Sequence, residues 1–487
     1  MTLCDSRCGN VMSKDTFPFS SSTSPRSLRL EQELQEWEDA RRALAQRRAL
    51  TREPLPRAPS RRATPRLQEV RAAPPIVRCR DAAVRNTFMC GDMKGVYAIL
   101  RDPAMVNAQM ETVHEEMTWA PEMGIWTISS KVKQTSALRL ASGGGHAACV
   151  EELLSRGAEV NAEPGGAAAL HDACAGGHAA CVKLLLAHGA DAQLLTADGS
   201  APLHLCTSPL SLPCAELLLD DGADVNARTA ESRLTPLHVA ASGGLEGHVE
   251  LLLSHGADVL ATNLEGETAL NAACAKADKP SEVGRYLAVV RGLLDAGADP
   301  RTAGKKRHTP LHNACHNCSP AMVELLLRYG AEADVSNSAG YTPLECALQV
   351  LEDNLDRQPE AVVQMLLNHG AKPVPPKVGK SPSRDHLEAG WLCGWVGGRL
   401  AGPGRLTLVL LNSYPYVPPC DWMEDHDGGP FFERVRELSG QPRSLQHLCR
   451  CALRRCLGAL CHSQAGRLDV PGSVRDYLLL QNDGRLH

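Results

Sequence analysis

One phrase recurs along the middle of the chain and restricts its fold more than any other feature. It consists of a tetrad like Thr-Pro-Leu-His, a stretch with helical periodicity, a Leu-Leu pair and then Gly-Ala, and the tetrad is clearest at Thr235–His238. The fourth tetrad residues of the seven copies are Arg139, His171, His204, His238, Asn271, His312 and Glu345. The Gly-Ala pairs keep the same spacing and begin at Gly157, Gly189, Gly222, Gly256, Gly297, Gly330 and Gly370. A chain with this period folds by stacking similar units and not around one central core.

The composition restricts what these units are built from and what they bind. Aromatic residues make up only 4% of the 487 residues, so packing between units must come mainly from Leu, Ala, Val and Cys side chains. The 51 basic and 56 acidic residues leave a net charge of −5. This charge gives no general positive field that would hold nucleic acid or an anionic membrane. We therefore expect neither among the partners.

The cysteines and the apolar runs bear on where the protein acts. The chain has 19 cysteines, but Met1–Asn10 lacks the apolar core of about 7–15 residues that a signal peptide needs. We therefore expect reduced thiols inside the cell. The apolar run Leu406–Leu411 is far shorter than the ~20 residues that span a bilayer. Together these patterns predict a soluble protein of the cytoplasm, and also of the nucleus.

The recurring phrase resembles the ankyrin repeat, which is a β-turn followed by two antiparallel helices. The resemblance implies an all-α solenoid over residues 81–373, with seven clear repeats preceded by a degenerate one that starts near Asp81. Local residues fit this fold. Pro236 suits the first turn of a helix, where a missing N–H costs little. Gly256 suits the left-handed residue that follows the end of a helix.

Three segments depart from the regular period. Lys276–Pro280 and Glu352–Asp356 lengthen two repeats, and we predict that both are polar loops between the two helices of a repeat. Val113–Lys133, which includes two tryptophans, separates the degenerate repeat from the first clear one. We interpret this stretch as a long finger loop, and the alternative is a ligand-binding feature.

Two further regions are predicted to lack a core. Residues 1–80 read as a disordered basic arm, because their Arg-rich and Pro-rich composition cannot support a core. Within the arm, Leu28–Ala49 has the pattern of a short amphipathic helix. We interpret it as a solvated segment, and the alternative is a site for a partner or a phospholipid. Residues 374–434, which contain many Gly, Trp and Pro residues, are predicted to be an irregular linker.

The C-terminal residues carry a second motif. Pro442 precedes an amphipathic stretch whose apolar residues share one helical stripe, which is typical of a helix that docks on a partner. The stripe consists of Leu445, Leu448, Cys449, Ala452, Leu453, Cys456 and Leu457. With the following segment Leu468–Leu478, this stretch resembles the suppressor-of-cytokine-signalling (SOCS) box, for which we predict residues 435–481. In that box the first helix offers a Leu, a Cys four residues on and an aliphatic residue four further, as do Leu445, Cys449 and Leu453 here.

An ankyrin array followed by this box resembles the ankyrin repeat and SOCS box family. The resemblance implies a non-catalytic substrate receptor of a cullin 5 RING ubiquitin ligase, whose repeats bind a target that is then ubiquitinated and degraded by the proteasome. It implies that Elongin C, in its complex with Elongin B, contacts Leu445, Leu448, Cys449 and Leu453. It also implies that cullin 5 contacts Leu468, Val470, Pro471, Val474, Tyr477 and Leu478.

Two features depart from the family pattern. Asp469 occupies the place of the family's first proline in the second half of the box. This departure puts the strength of cullin binding in question and not that of Elongin binding, because the two contacts use different segments of the box. Residues 375–410 lack the helical periodicity expected between array and box, which either divergence or a mistaken splice would explain. The rival hypothesis is therefore a scaffold or inhibitor that binds Elongin weakly or not at all and does not recruit cullin.

We predict no catalytic residue, metal or cofactor. The tightest set of possible zinc ligands is His312, Cys315, His316 and Cys318. We interpret His312 as a tetrad residue that satisfies turn backbone groups and Cys315 as a small apolar core residue. The cysteines between 449 and 461 could be taken for a set of metal ligands only if their helical arrangement is ignored. On the helix, we expect Cys449 and Cys456 to face inward and Cys451 to turn away. We expect no nucleotide, because no phosphate-binding glycine loop follows a strand.

A solenoid leaves its finger tips and concave surface free for binding. Lys305, Lys306 and Arg307 form a basic finger in an acidic chain, and they are the candidate contact for an acidic segment of an unknown target protein. The alternative is a solvated tip with no specific role.

Overall fold

The computed structural model describes residues 77–120, 125–304, 306–350, 354, 357–374, 405–417 and 429–481. All of these lie in the second of two compact units, 75–487, whereas the first unit, 1–74, falls outside the described residues together with the segment Leu28–Ala49. In the described ranges no helix has both the length and the apolar character needed to cross a membrane.

Successive pairs of helical segments stack in chain order from Ala82 to Asn368. The pair at the position of the degenerate repeat is α1 (Ala82–Cys90) and α2 (Met93–Ile99). The pairs of the clear repeats are α3 (Ala137–Gly143) and α4 (Ala147–Ser155); α5 (Ala169–Gly176) and α6 (Ala179–Ala187); the 3-10 helix Pro202–Leu205 and α7 (Leu212–Asp220); α8 (Pro236–Ser242) and α9 (Glu246–Ser254); α10 (Ala269–Lys276) and α11 (Val283–Asp295); α12 (Pro310–His316) and α13 (Pro320–Arg328); and α14 (Pro343–Gln349) and α15 (Pro359–Asn368).

The local signals in the sequence act as predicted. Pro236 is the first residue of α8, and the Thr235 side chain caps that helix by accepting a hydrogen bond from the His238 N–H. Gly256 follows α9 with a φ of 83°, in the left-handed region. Lys276–Pro280 connects α10 to the 3-10 helix before α11, as predicted, whereas most of Glu352–Asp356 lies outside the described residues.

The interpretation of Val113–Lys133 as a finger loop is wrong, because the segment forms a β-hairpin. Strand β2 (Gln109–Ala120) pairs antiparallel with β3 (Ile125–Ser136), from the Gln109–Ser136 pair to the Ala120–Ile125 pair. A short strand, β1 (Arg78–Cys79), runs parallel to the start of β2. The segment is rich in Thr, Val, Ile and Trp, residues that favour strands over loops.

The base of the hairpin is tied to the repeats. The Glu111 carboxylate lies 2.8 Å from Arg80 Nε and 3.7 Å from an Arg78 guanidinium nitrogen, and the hydrogen bond from Arg80 lowers the pKa of Glu111. On the other side, Gly165 lies so close to β3 that a Cβ atom there would be 2.3 Å from the Gln134 carbonyl oxygen. The first residues of the hairpin therefore have a fixed position against the array.

The helices after the array continue its apolar core. They are α16 (Arg405–Ser413), α17 (Gly429–Leu438), α18 (Leu445–Leu457), the 3-10 helix Gly458–Leu460, α19 (Cys461–Ala465) and α20 (Gly472–Leu478). Helix α16 packs on α15 and buries Val409, Leu410 and Leu411. Part of the stretch predicted to be an irregular linker, 374–434, is thus helical, while 375–404 lies outside the described residues.

Candidate docking helix and its attachment to the array

Helix α18 turns its apolar stripe toward solvent. Leu445 is 77% exposed, Leu453 is 48% exposed and Leu448 is 37% exposed, and Cys449 beside them is also exposed. The Ser444 side chain caps the helix by accepting a hydrogen bond from the His447 N–H at 3.3 Å. Large apolar side chains in water on one side of a capped helix form a surface suited to a protein partner.

The cysteines of α18 face the opposite way from the prediction. Cys451 is buried, whereas Cys449 and Cys456 are exposed. Helical spacing fixes which residues share a face, but it does not say which face packs on the rest of the protein. Here a mostly polar face packs inward, so the apolar stripe and its two cysteines remain outside.

The inward face of α18 forms a buried polar network with the end of α16. His447 Nε2 donates to the Tyr414 carbonyl oxygen at 2.7 Å, and His447 Nδ1 accepts from Arg450 Nη2 at 2.9 Å. The same Arg450 nitrogen donates to the Asn412 carbonyl oxygen at 2.6 Å. The guanidinium carbon of Arg450 also lies 4.0 Å from the centroid of the Tyr477 ring, within cation–π range.

Arg454, one turn further along α18, reaches the last repeat. Its Nη1 donates to Asn368 Oδ1 at 2.7 Å and also to the Leu478 carbonyl oxygen, and its Nη2 donates to the Leu367 carbonyl oxygen at 2.9 Å. Burial lowers the pKa of Arg454, yet arginine keeps its charge in proteins, so these oxygens stabilise a buried cation. One guanidinium therefore joins the end of α15, helix α18 and the end of α20.

The last repeat makes further contacts with the segments after α18. Gln364 Nε2 and Asn368 Nδ2 donate to the Leu479 carbonyl oxygen at 3.1 and 2.8 Å. The rings of His369 and His462 stack with their centroids 4.8 Å apart. The array and the C-terminal helices thus share both a hydrogen-bond network and an apolar core.

Comparisons with known proteins find matches for both the repeat array and the C-terminal helices. The family model described as "Ankyrin repeats (3 copies)" matches residues 138–229, 228–302 and 281–376, and the model described as "SOCS box" matches residues 441–479. The human protein named ankyrin repeat and SOCS box protein 16 is 46% identical over 482 residues, covering 97% of this chain and 99% of the relative. The chain belongs to the ankyrin repeat and SOCS box family.

The chain is also similar to a second protein of this family and to a solved ankyrin repeat domain. Human ankyrin repeat and SOCS box protein 18 is 42% identical over 397 residues, covering 78% of this chain and 82% of the relative. The crystal structure of the human ASB11 ankyrin repeat domain is 29% identical, covers 49% of this chain and all of that chain, and has a TM-score of 0.42.

The second half of the SOCS box is only partly at the surface. Pro471 and Val474 are exposed, and the polar residue Asp469 that departs from the family pattern is exposed as well. Leu468, Val470 and Tyr477 are half-buried. Leu478 is only 3% exposed, so this residue, for which the family resemblance implies a cullin contact, packs inside the protein.

The buried residues His447, Arg450 and Arg454 were absent from the sequence-based set of site residues. The signal that identifies them is their spacing of three and four residues, which puts them on one helical face beside Cys451 and away from the leucine stripe. Their contacts make them positioning residues for the SOCS box.

The predicted target-binding finger is only partly described. Lys305 lies outside the described residues, whereas Lys306 and Arg307 are exposed. The Lys306 carbonyl oxygen accepts from Ser338 Oγ at 2.7 Å and from the Ser338 N–H at 2.9 Å, so adjacent fingers are joined through their backbones. Arg307 has a φ of 55°, which is uncommon for a residue with a side chain.

The possible zinc ligands around His312 have structural contacts. His312 Nδ1 lies 2.8 Å from Thr309 Oγ1, and Nε2 donates to the Tyr341 carbonyl oxygen at 3.2 Å. Cys315 is fully buried, and burial raises the pKa of its thiol. Among the side chains that the structure describes, no group of three or more His, Cys, Asp and Glu residues is arranged to hold a metal ion.

Proposed function

We propose that this protein is the substrate-recognition subunit of an Elongin B/C, cullin 5 and RING ubiquitin ligase. In this proposal the SOCS box docks on the ligase and the ankyrin repeats bind a target protein, which is ubiquitinated and degraded by the proteasome. The subunit itself is non-catalytic, and it acts in the cytoplasm and in the nucleus. The observation that carries the proposal is the exposed apolar stripe of α18. This helix lies within the residues that match the SOCS box model, and its opposite face is hydrogen-bonded to the last repeat.

The stripe supports an apolar partner on energetic grounds. Burying one leucine side chain that was exposed gains about 1.5–3 kcal/mol. Leu445, Leu448 and Leu453 lie on one side of the helix, and in the isolated chain Leu445 is largely in water and the other two are partly exposed. A partner with an apolar groove would gain from all three. Elongin C is the partner that the family resemblance assigns to this helix.

A second candidate is a scaffold or inhibitor that does not recruit cullin. Two observations favour it over full ligase assembly: Asp469 places a charge on the surface where the family has proline, and Leu478 is buried. The two candidates share the ankyrin target surface and differ only in whether cullin 5 joins the complex.

Co-purification separates these candidates. The full chain is expressed with Elongin B, Elongin C and cullin 5, beside the double variant Leu445→Ala, Cys449→Ala. A matched control, Leu195→Ala, Leu264→Ala, removes two other exposed leucine side chains in the repeat fingers. We expect a complex containing cullin 5 for the wild type and the control, and its loss in the box variant. Elongin binding without cullin 5 would support the scaffold, and no Elongin binding at all would refute the ligase proposal.

A further inference from the structure

One edge of the hairpin is paired only at its base. Strand β1 pairs in parallel with the first two residues of β2, Gln109 and Met110. The chain then leaves the sheet and enters α1. Among the residues that the structure describes, no other strand continues this pairing, and β3 lies on the opposite side of β2. In the described part of the chain, the outer edge of β2 from Glu111 to Ala120 therefore has no neighbouring strand.

The pairing at the base shows which backbone groups of β2 face this edge. The Gln109 N–H donates to the Val77 carbonyl oxygen at 2.9 Å, on the side of β1. Successive residues of a paired strand direct their N–H and C=O groups alternately to its two sides. The register of β2 with β3 is unbroken, so this alternation continues along the strand. The N–H and C=O groups of the odd-numbered residues from Glu111 to Trp119 therefore point to the outer edge.

This edge has the properties of a site for strand pairing. Its ten residues extend about 33 Å at ~3.3 Å per residue. The five odd-numbered residues each direct one donor and one acceptor outward. Long free edges pair readily with other chains, and an added strand is held by main-chain hydrogen bonds. Because β1 already pairs with the start of the same edge, a further strand would extend an interface that exists within the fold.

The charge of the strand narrows the choice of occupant. Residues 111–120 contain Glu111, Glu115 and Glu116, and they contain neither lysine nor arginine. Like charges opposite each other on neighbouring strands are destabilising. A second copy of this chain, paired through the same edge, would bring the acidic residues of two such strands together. A segment of another protein that is poor in Asp and Glu fits the edge better.

We propose that the outer edge of β2, from Glu111 to Ala120, binds an extended segment of the target protein, which adds to the hairpin as a further strand. This inference rests on the proposed function, since it names the surface that receives the target while the SOCS box receives the ligase. Recognition depends on the capacity of the segment to become a strand, which β-branched and aromatic residues favour, and on its lack of acidic residues. This surface is separate from the basic finger at Lys306 and Arg307.

The edge variant for the test is Glu115→Pro, Met117→Pro in the full chain. Proline removes an N–H, and an edge strand tolerates it where that N–H points away from the sheet. The matched control is Ile128→Pro, Ser130→Pro, because these residues pair with Met117 and Glu115 and their N–H groups point to the opposite edge of the hairpin. A second control, Glu115→Ala, Met117→Ala, truncates the same side chains but keeps both N–H groups.

The probe is a peptide selected for this edge. A phage library of random twelve-residue peptides is first depleted on the edge variant and then selected on the wild-type chain. Selected peptides are synthesised with a fluorescent label, and their affinities are measured by anisotropy. Each peptide is also N-methylated at one residue at a time, because an added strand directs only every second N–H to its neighbour. Thermal melting and hydrogen exchange of residues 109–136 check that every variant keeps its fold and its hairpin.

We expect the selected peptides to be poor in Asp and Glu. N-methylation should weaken their binding by at least ~10-fold at alternate residues and by less than ~3-fold at the residues between. The edge variant should also weaken binding by at least ~10-fold, because two hydrogen bonds are lost and their acceptors are left without donors. Both controls should change the affinity by less than ~3-fold.

Four results would overturn the inference. They are a selection that yields no peptide, N-methylation effects without a period of two, and an equal loss of binding in the control with prolines on β3. The fourth is a wild-type dimer in light scattering that the edge variant converts to monomers, since a second copy would then occupy the edge.

The same preparations keep the two proposals apart. The edge variant should still bind Elongin B/C, and Leu445→Ala, Cys449→Ala should still bind the selected peptides. Failure of the wild-type chain to bind Elongin would refute the ligase proposal, while the peptide data would still decide whether the edge of β2 accepts a strand.

Discussion

At the scale of single residues, the fourth tetrad position is occupied by histidine in four of the seven repeats. His238 shows why neutral imidazole suits it. The Thr235 N–H donates to His238 Nδ1 at 3.3 Å, and His238 Nε2 donates to the Glu267 carbonyl oxygen at 3.0 Å. A proton on Nδ1 would remove the acceptor. Burial accordingly lowers the pKa of His238 and of its counterparts His171, His204 and His312.

These histidines predict that the array loses stability in mild acid. A lowered folded-state pKa means that the unfolded chain binds more protons, so stability is present above the unfolded value of about 6.5 and is lost as pH falls. Burial lowers the pKa of His312 to about 4, so for this residue the loss of stability extends down to that pH. We expect the urea midpoint to fall between pH 7 and pH 5. His238→Gln and His312→Gln should each flatten this dependence, and an unchanged midpoint across that range would contradict the argument.

A second residue-scale prediction concerns a ladder of side-chain amides along the repeats. Asn161 Nδ2 donates to the Gly189 carbonyl oxygen at 3.1 Å, and Asn226 Nδ2 donates to that of Gly256 at 3.3 Å. At the equivalent place in the next repeat stands Leu260, which is 58% exposed. We expect Leu260→Asn to raise the free energy of unfolding by about 0.5–1.5 kcal/mol through the missing hydrogen bond. Leu264→Asn, in the same finger but outside the ladder, should have no comparable effect in urea titrations.

At the scale of elements, the sequence predicted the repeat helices well because each has its own local signals. Pro at a helix start and Gly after a helix end act within a few residues. The hairpin was missed because its charged residues interrupt the alternation of polar and apolar positions that identifies a strand. The stripe of α18 was predicted as a docking surface, but the directions of its cysteines were predicted wrongly, since the buried face depends on Tyr414 and Asn412, which are distant in sequence.

The two faces of α18 predict opposite responses to substitution. Leu445→Ser and Leu453→Ser should change the free energy of unfolding of the isolated chain by less than ~0.5 kcal/mol, as is usual for exposed sites. Arg450→Met should cost about 2 kcal/mol or more, because it leaves His447 and the Asn412 carbonyl oxygen buried without this donor. Urea unfolding of the three variants checks this prediction. Equal losses on both faces would mean that the leucine stripe is buried in solution.

At the scale of the whole molecule, the SOCS box is built onto the end of the solenoid as if it were one more repeat. Gly370 ends the last repeat with a φ of 95°, and a Cβ atom there would lie 2.8 Å from the Ala459 backbone nitrogen. Gly330, at the same position one repeat earlier, has a φ of 88° and a nearest neighbour at 3.9 Å. Both glycines permit the left-handed backbone, but only Gly370 also permits contact with the box.

This pair of glycines gives a matched test of how the box is attached. Gly330→Ala and Gly370→Ala should both lose about 1 kcal/mol or more from backbone strain. Only Gly370→Ala should also loosen the box, which hydrogen exchange would detect as faster exchange in Gly458–Leu460 and in the α20 helix. The repeats before α10 should keep their protection in both variants, since each repeat contacts only its neighbours. Faster exchange of the box in Gly330→Ala as well would show that its attachment depends on the whole array.

The hairpin sets a length that no helix of the described residues matches. Each strand has twelve residues, which at ~3.3 Å per residue extends about 40 Å. The longest described helices, such as α11 and α18, have thirteen residues and extend about 20 Å at ~1.5 Å per residue. Because the two strands pair residue for residue, the hairpin can be shortened from its tip in steps, beginning with Ala120 and Ile125, while the pairs at its base keep their register. The length of the hairpin can therefore be varied without altering the repeats.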